Sequence, residues 1–197
     1  MILDLAGTFV FAITGALVAA RTKNDIITFL FFAIITGVGG GSIRDVLMGN
    51  QAFWISVPDY VIVCASAALL VWLFGKTIMR QSSIDWLDAI GLAAFSVVGA
   101  ARAIETGASP FSAIILGVIT STLGGVLRDV LANQQNMLLK REIYISAALL
   151  GSASFVGLYE LGMDFWGASV IGACLAFILR GGALKYGWQL RGFGKSN

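Results

Sequence analysis

Seven apolar runs of membrane-spanning length follow one another along the chain, at about 2–20, 26–48, 58–75, 87–104, 110–132, 143–161 and 165–184, with only short polar clusters between them. A helix crossing a ~30 Å hydrocarbon core takes about 20 residues, so seven such runs in 197 residues leave no room for a soluble domain. Charged residues make up 12% of the chain, about half of what a water-facing surface needs. The expected fold is an all-α membrane protein, a single transmembrane domain over 1–197. Asp4 stands where a cleaved leader would carry basic residues, so the first run reads as a span. Asn24-Asp25 before Ile26, and Ser109-Pro110 before Phe111, are cap-then-start signals for the second and fifth helices.

Charge alternates from loop to loop. One side receives Arg21, Lys23, Lys76, Arg80, Lys140, Arg141, Arg180, Lys185, Arg191 and Lys195. The other receives Asp4, Asp59, Glu105, Glu160 and Asp164, with Arg102 as the basic exception. By the positive-inside rule the C-terminus is expected in the cytoplasm and the N-terminus outside.

Sliding the chain against itself by 84 positions aligns 4–60 with 88–144 without a gap. Asp4, Gly7, Phe11, Gly15, Ala16 and Ala19 fall on Asp88, Gly91, Phe95, Gly99, Ala100 and Ala103. Gly40-Gly41-x-x-Arg44-Asp45-Val46-Leu47 falls on Gly124-Gly125-x-x-Arg128-Asp129-Val130-Leu131. Shared composition does not explain a shared Arg-Asp pair, because charges are rare within spans. The first repeat occupies 1–75 and the second 84–161, followed by a seventh helix at 165–184 and a cytoplasmic tail at 185–197. Three spans per repeat is an odd number, so the second copy enters from the opposite side and the repeats are inverted. Solute pathways commonly lie between inverted repeats, built from discontinuous helices.

The second helix carries Thr36, Gly37, Gly39, Gly40, Gly41 and Ser42; the fifth carries Thr120, Ser121, Gly124 and Gly125. Each glycine costs a helix about 1 kcal/mol relative to alanine, and Gly40 and Gly124 lie about 21 Å along their helices, just past the bilayer centre. The expected reading is that both helices, the second and the fifth, are kinked and unwound there. Carbonyls near Ile35, Thr36 and Gly37, and near Ile119, Thr120 and Ser121, would then be freed to replace part of a cation's hydration shell. The other reading is that the glycines only permit close helix packing. Arg44, Asp45, Arg128 and Asp129 lie too deep to be loop charges. Adjacent helical residues point about 100° apart, so neither arginine is expected to need its own neighbour. Each pair would cap one end of a pathway, with arginine tying down freed carbonyls or helix ends and aspartate adding negative potential, or serve structure alone. Each arginine is expected to have an acidic or carbonyl partner within the protein rather than to face lipid.

Other chemistry is excluded by what is missing. The chain has no histidine, which removes Ser-His-Asp and Cys-His nucleophilic sites and histidine-ligated metals. No catalytic residue, cofactor or resident metal is expected. Cys64 and Cys174 stand 110 residues apart in apolar runs and read as buried packing residues. The basic residues form no nucleic-acid patch. Lys185-Tyr186-Gly187-Trp188-Gln189-Leu190-Arg191 mixes aromatic and basic residues as an interfacial anchor does, a composition that suits anionic lipid.

The paired glycine-rich/Arg-Asp helices on a three-plus-three-plus-one plan resemble the trimeric intracellular cation (TRIC) channel family in its short prokaryotic form. The resemblance spans essentially the whole chain. It implies a homotrimer in the prokaryotic cell membrane with one pore per protomer, passing potassium as the permeant ion past the second and fifth helices. It carries pore roles onto Thr36, Gly39, Gly40, Gly41, Arg44 and Asp45, and onto Thr120, Gly124, Gly125, Arg128 and Asp129. Leu123 stands where a full second glycine triplet needs glycine, which implies a weaker kink in the fifth helix. The same domain type has also been labelled a glycine transporter, so the alternative is a secondary carrier for glycine or another small solute.

Overall fold

The computed structural model describes residues 2–78, 81–134 and 143–190. Arg80, Lys140, Arg141, Arg191 and Lys195, used above for orientation and for the tail, lie outside the described residues. The chain forms α1 (Ile2–Arg21), α2 (Ile26–Leu47), α3 (Phe53–Ser56), α4 (Asp59–Ile78), α5 (Gln81–Glu105), α6 (Pro110–Leu131), α7 (Ile145–Glu160) and α8 (Phe165–Tyr186). Among the described residues, α1, α2, α5, α6 and α8 are long and apolar enough to cross a membrane by themselves. The apolar stretches of α4 and α7 are shorter, at Asp59–Gly75 and Ile145–Glu160. The helix expected at 87–104 starts earlier, at Gln81, and the four-residue α3 carries no periodicity that a sequence reading could detect.

Local chemistry sets the helix ends. The Asp25 carboxylate accepts from the Thr28 amide at 2.8 Å, which satisfies one of the four amides that a helix start leaves open and holds the carboxyl below its usual range. Ser109 caps α6 in the same way, with Pro110 in its first turn, and Asp164 caps α8 through the Gly167 amide at 2.8 Å. Gly187, at φ 67°, ends α8 in the left-handed conformation that glycine adopts without strain.

The interior is rich in alanine and polar side chains around large ones such as Phe11, Leu17, Leu92 and Phe155, whereas Ile27, Phe31, Ile62, Leu73, Phe74, Phe111, Val170 and Ile178 are exposed. So much outward apolar surface suits a lipid environment. Cys64 is buried, but Cys174 is not, contrary to expectation. α8 packs on α5 and α7 with one face only, and the cysteine falls on the opposite face.

α1 packs on α2 and α4, and α5 packs on α6 and α7; the two triplets meet where α1 touches α5 and α2 touches α6. The meeting is reciprocal. The Phe11 and Phe95 rings stack at 5.3 Å, with Gly7 under Phe95 and Gly91 under Phe11. Gly40 faces Thr120, and Gly124 faces Thr36. In each case position and partner are exchanged by the offset of 84, and rising numbers on one helix meet falling numbers on the other. The equivalent helices are therefore antiparallel about an approximate two-fold axis across their length, the isologous pattern in which i meets j and j meets i.

Candidate ion pathway and its two ends

α2 and α6 are continuous α-helix across their glycines, from Ile26 to Leu47 and from Pro110 to Leu131. The expected unwinding is absent, and the glycines admit close packing instead. A Cβ on Gly40 would run into the Thr120 carbonyl oxygen, and one on Gly124 into that of Thr36. Each glycine thus aims a Cα–H at the opposite backbone, a contact worth about 0.5–1 kcal/mol. Gly39 faces Leu127, Gly37 faces Cys64 and Thr8, and Gly41 lies under the Phe53 ring. The methylene hydrogens leave room for close approach without giving up the hydrogen-bonded ladder.

The candidate pathway residues come together at this crossing. Thr36, Gly37, Gly39, Gly40 and Gly41 are buried on α2, as are Thr120, Ser121, Gly124 and Gly125 on α6. The Thr120 hydroxyl donates to the Leu116 carbonyl at 2.6 Å and that of Ser121 to the Gly117 carbonyl at 2.9 Å. The Thr36 hydroxyl is buried without a hydrogen-bond partner among the described residues. Ser42 donates to the Val38 carbonyl at 2.7 Å.

Because α2 and α6 are antiparallel, their charged pairs lie at opposite ends of the crossing. Each arginine does hold its own neighbour. Arg44 donates through Nε and Nη2 to Asp45 Oδ1 at 2.9 and 2.7 Å, and Arg128 reaches Asp129 Oδ1 at 2.9 Å. The 100° between adjacent side chains is bridged by the length of arginine, because a buried charge is costly until it is paired. The arginines bind carboxylates rather than helix carbonyls.

Around these pairs the ends differ. Arg128 Nη1 also donates to Asp88 Oδ1 at 3.0 Å and to the Thr14 hydroxyl at 2.9 Å, and the side chains of both Arg128 and Asp88 are essentially sealed, at 1% and 0% exposure. A Cβ on Gly125 would stand 3.0 Å from the Tyr144 hydroxyl and 3.2 Å from Asp88 Oδ1, so tyrosine, carboxylate and glycine share one corner. Arg180, placed with the loop charges by sequence, is instead fully buried, its guanidinium 5.1 Å from the centre of the Tyr144 ring. At the other end the Asp45 Oδ2 accepts from the Phe53 amide at 2.9 Å, and the Phe53 ring lies 5.8 Å from the Arg44 guanidinium. Asp4 accepts from the Tyr60 hydroxyl at 3.0 Å and from Arg102 at 3.2 Å. Sequence reasoning did not place Asp88, Tyr144, Thr14, Tyr60 or Phe53 in the site, although the offset of 84 carries Asp4 to Asp88 and Tyr60 to Tyr144. Among the described residues no cluster of three or more histidine, cysteine or acidic side chains could hold a metal ion.

The family model described as "Glycine transporter" matches residues 1–76 and 85–160, two segments displaced by the same 84 positions. The UPF0126 inner membrane protein YadS of Escherichia coli K12 is 34% identical over 193 residues, covering 96% of this chain and 92% of the relative. The solved TRIC trimeric intracellular cation channel orthologue from Rhodobacter sphaeroides superposes with a TM-score of 0.91 at 44% identity, covering 95% of this chain and 97% of its own. The chain belongs to the TRIC family, in its prokaryotic form. A second solved TRIC cation channel matches at a TM-score of 0.86 and 30% identity, covering all of this chain and 98% of its own. Like the inner membrane relative, this TRIC-family chain is an integral membrane protein with structural neighbours that are channels, not enzymes.

Proposed function

We propose that the chain is a potassium-conducting cation channel, a homotrimer with one pore in each protomer. The observation that carries this reading is the match to the Rhodobacter sphaeroides TRIC orthologue over 95% of the chain at 44% identity. The reciprocal, antiparallel contacts of α1 with α5 and of α2 with α6 support two inverted three-helix repeats with α8 as a seventh spanning helix. The pathway runs beside the α2–α6 crossing, past Thr36, Gly37, Gly39, Gly40, Gly41 and Ser42 and past Thr120, Ser121, Gly124 and Gly125, with Arg44-Asp45 and Arg128-Asp129 at its ends. A crossing with backbone against backbone leaves no space for an ion between the two helices, which supports reading this conformation as closed. The N-terminus lies outside and the C-terminus in the cytoplasm, where Lys185, Tyr186 and Trp188 meet anionic lipid.

A second reading, a carrier for glycine or another small solute, is favoured by the description of the matching family model. Purified protein in liposomes separates the two. With an imposed potassium gradient, a channel dissipates it at a rate linear in concentration. A carrier gives saturable glycine uptake and leaves the potassium gradient standing.

A further inference from the structure

The segment after α2 folds back onto it. Phe53 and Trp54 belong to a four-residue helix, yet they reach residues 41, 42, 44 and 45, up to two turns inside α2. The Phe53 ring fills the place where a side chain on Gly41 would stand, with a Cβ there 2.6 Å from its Cε1. The Trp54 indole N–H donates to the Ser42 hydroxyl at 2.9 Å. The Phe53 amide donates to Asp45 Oδ2 at 2.9 Å, and its ring lies 5.8 Å from the Arg44 guanidinium. Its other edge meets Tyr60 at 4.5 Å between ring centres, and Tyr60 in turn bonds Asp4. Two aromatic rings, Phe53 and Tyr60, therefore link the two ionic groups of this end.

The segment lies at the surface. Ile55 and Ser56 are exposed, Phe53 and Trp54 only half-buried, and the preceding turn passes through Gly49 at φ 72°. Besides the packing of Phe53, Trp54 and Val57 against the buried core beneath them, two hydrogen bonds hold the segment, and a helix of four residues at the surface can open without unfolding the helices beneath it. The second repeat does not repeat these residues in its sequence: the offset of 84 carries Phe53 and Trp54 to Met137 and Leu138, whose side chains cannot donate a hydrogen bond.

We propose that α3 is a plug that gates the Arg44 end of the pathway, with Phe53 as its stopper and the Trp54–Ser42 hydrogen bond as its latch. The proposal rests on the conduction reading above, since the residues it covers are the ones assigned to the pathway. When the latch breaks, the Phe53 ring leaves Gly41 and the Arg44-Asp45 pair opens to water. The arrangement makes this end movable and leaves the Arg128 end to fixed ionic contacts.

The test is a double-substitution cycle on Trp54 and Ser42, read as single-channel open probability in planar bilayers with potassium chloride on both sides. Trp54→Phe keeps the ring and loses the donor; Ser42→Ala loses the acceptor. Each is expected to raise open probability by about threefold to tenfold, the range that one hydrogen bond supplies, and the double variant by no more than either single one. Hydrogen exchange of the 52–56 amides is expected to accelerate in the same variants, with α2 unchanged. Phe53→Leu, which keeps the segment but removes the ring over Arg44, is expected to raise open probability as well and covers the case in which a latch variant fails to assemble. Currents from the wild type with the same open probability in all three variants overturn the plug alone. Strictly additive effects of Trp54 and Ser42 overturn the latch and with it the proposal. No current from any variant, wild type included, overturns the conduction reading and the plug together.

Discussion

The Arg44 end and the Arg128 end begin from the same sequence, Gly-Gly-x-x-Arg-Asp-Val-Leu, and end in different environments. Arg128 is held by Asp129, Asp88 and Thr14 with no access to solvent. Arg44 keeps Asp45 but shares its surroundings with an aromatic ring, while Asp4, the counterpart of Asp88, is taken by the half-exposed Arg102. A duplicated motif therefore fixes where charge is placed, and the neighbours decide how many partners hold it. The position equivalent to Arg102 is Val18 and the one equivalent to Thr14 is Val98, so two substitutions outside the motif account for much of the difference.

That contrast can be broken most forcefully at the sealed end. Arg128→Met removes one cation from two buried carboxylates, and stranding a buried partner typically costs about 3–5 kcal/mol. The expected result is loss of assembled protein in detergent, measured by size-exclusion yield. Arg44→Met is expected to leave assembled protein, because Asp45 retains the Phe53 amide. Equal loss for both would mean that the two ends are not different in kind.

The crossing should behave symmetrically where the ends do not. Gly40→Ala and Gly124→Ala each push a methyl group into the opposite carbonyl, overpacking worth about 1–3 kcal/mol. Both are expected to lower the thermal midpoint of the assembled protein by similar amounts. A strong effect for one and none for the other would remove the two-fold relation at this point.

Smaller effects belong to charges with a solvent-facing partner, as the buried Asp4, which also keeps the Tyr60 hydroxyl, has in Arg102. Arg102→Gln loses contacts to Asp4 and Glu105 from a side chain that is 45% exposed, so the expected destabilisation is below about 1 kcal/mol and diminishes with added salt. A salt-independent loss would place this pair in a drier setting. The smallest effect is at Asp25. Its carboxyl is held below its ordinary value by the Thr28 amide, so its cap contribution is complete above the unfolded value and fades as the pH falls through the folded one. Thermal melts of Asp25→Asn, which caps without titrating, are expected to lose this acid sensitivity; an unchanged acid slope would assign it elsewhere.

What could be read from the residues followed the range of the interactions involved. Asp25 and Ser109 mark their helix starts because a cap is decided within three residues. The 84-position repeat was visible because identical charges recur in apolar surroundings. The glycines were visible as a feature, but whether they break a helix or admit a neighbour depends on Thr36 and Thr120 arriving from the other repeat. Arg180 looked like an interfacial charge because its helix end is rich in basic residues, and only the packing of α8 against Tyr144 buries it. α3 is too short for any periodicity, and its contacts run both backward to α2 and forward to Tyr60 of α4.

The central claim is that this fold conducts potassium, and unitary current is its most direct measure. Purified wild-type protein in a planar bilayer, with potassium chloride as the salt and a voltage ramp applied, should show discrete openings that reverse at the potassium equilibrium potential under a gradient. A silent bilayer from the same assembled preparation, with saturable glycine uptake in liposomes, would contradict it.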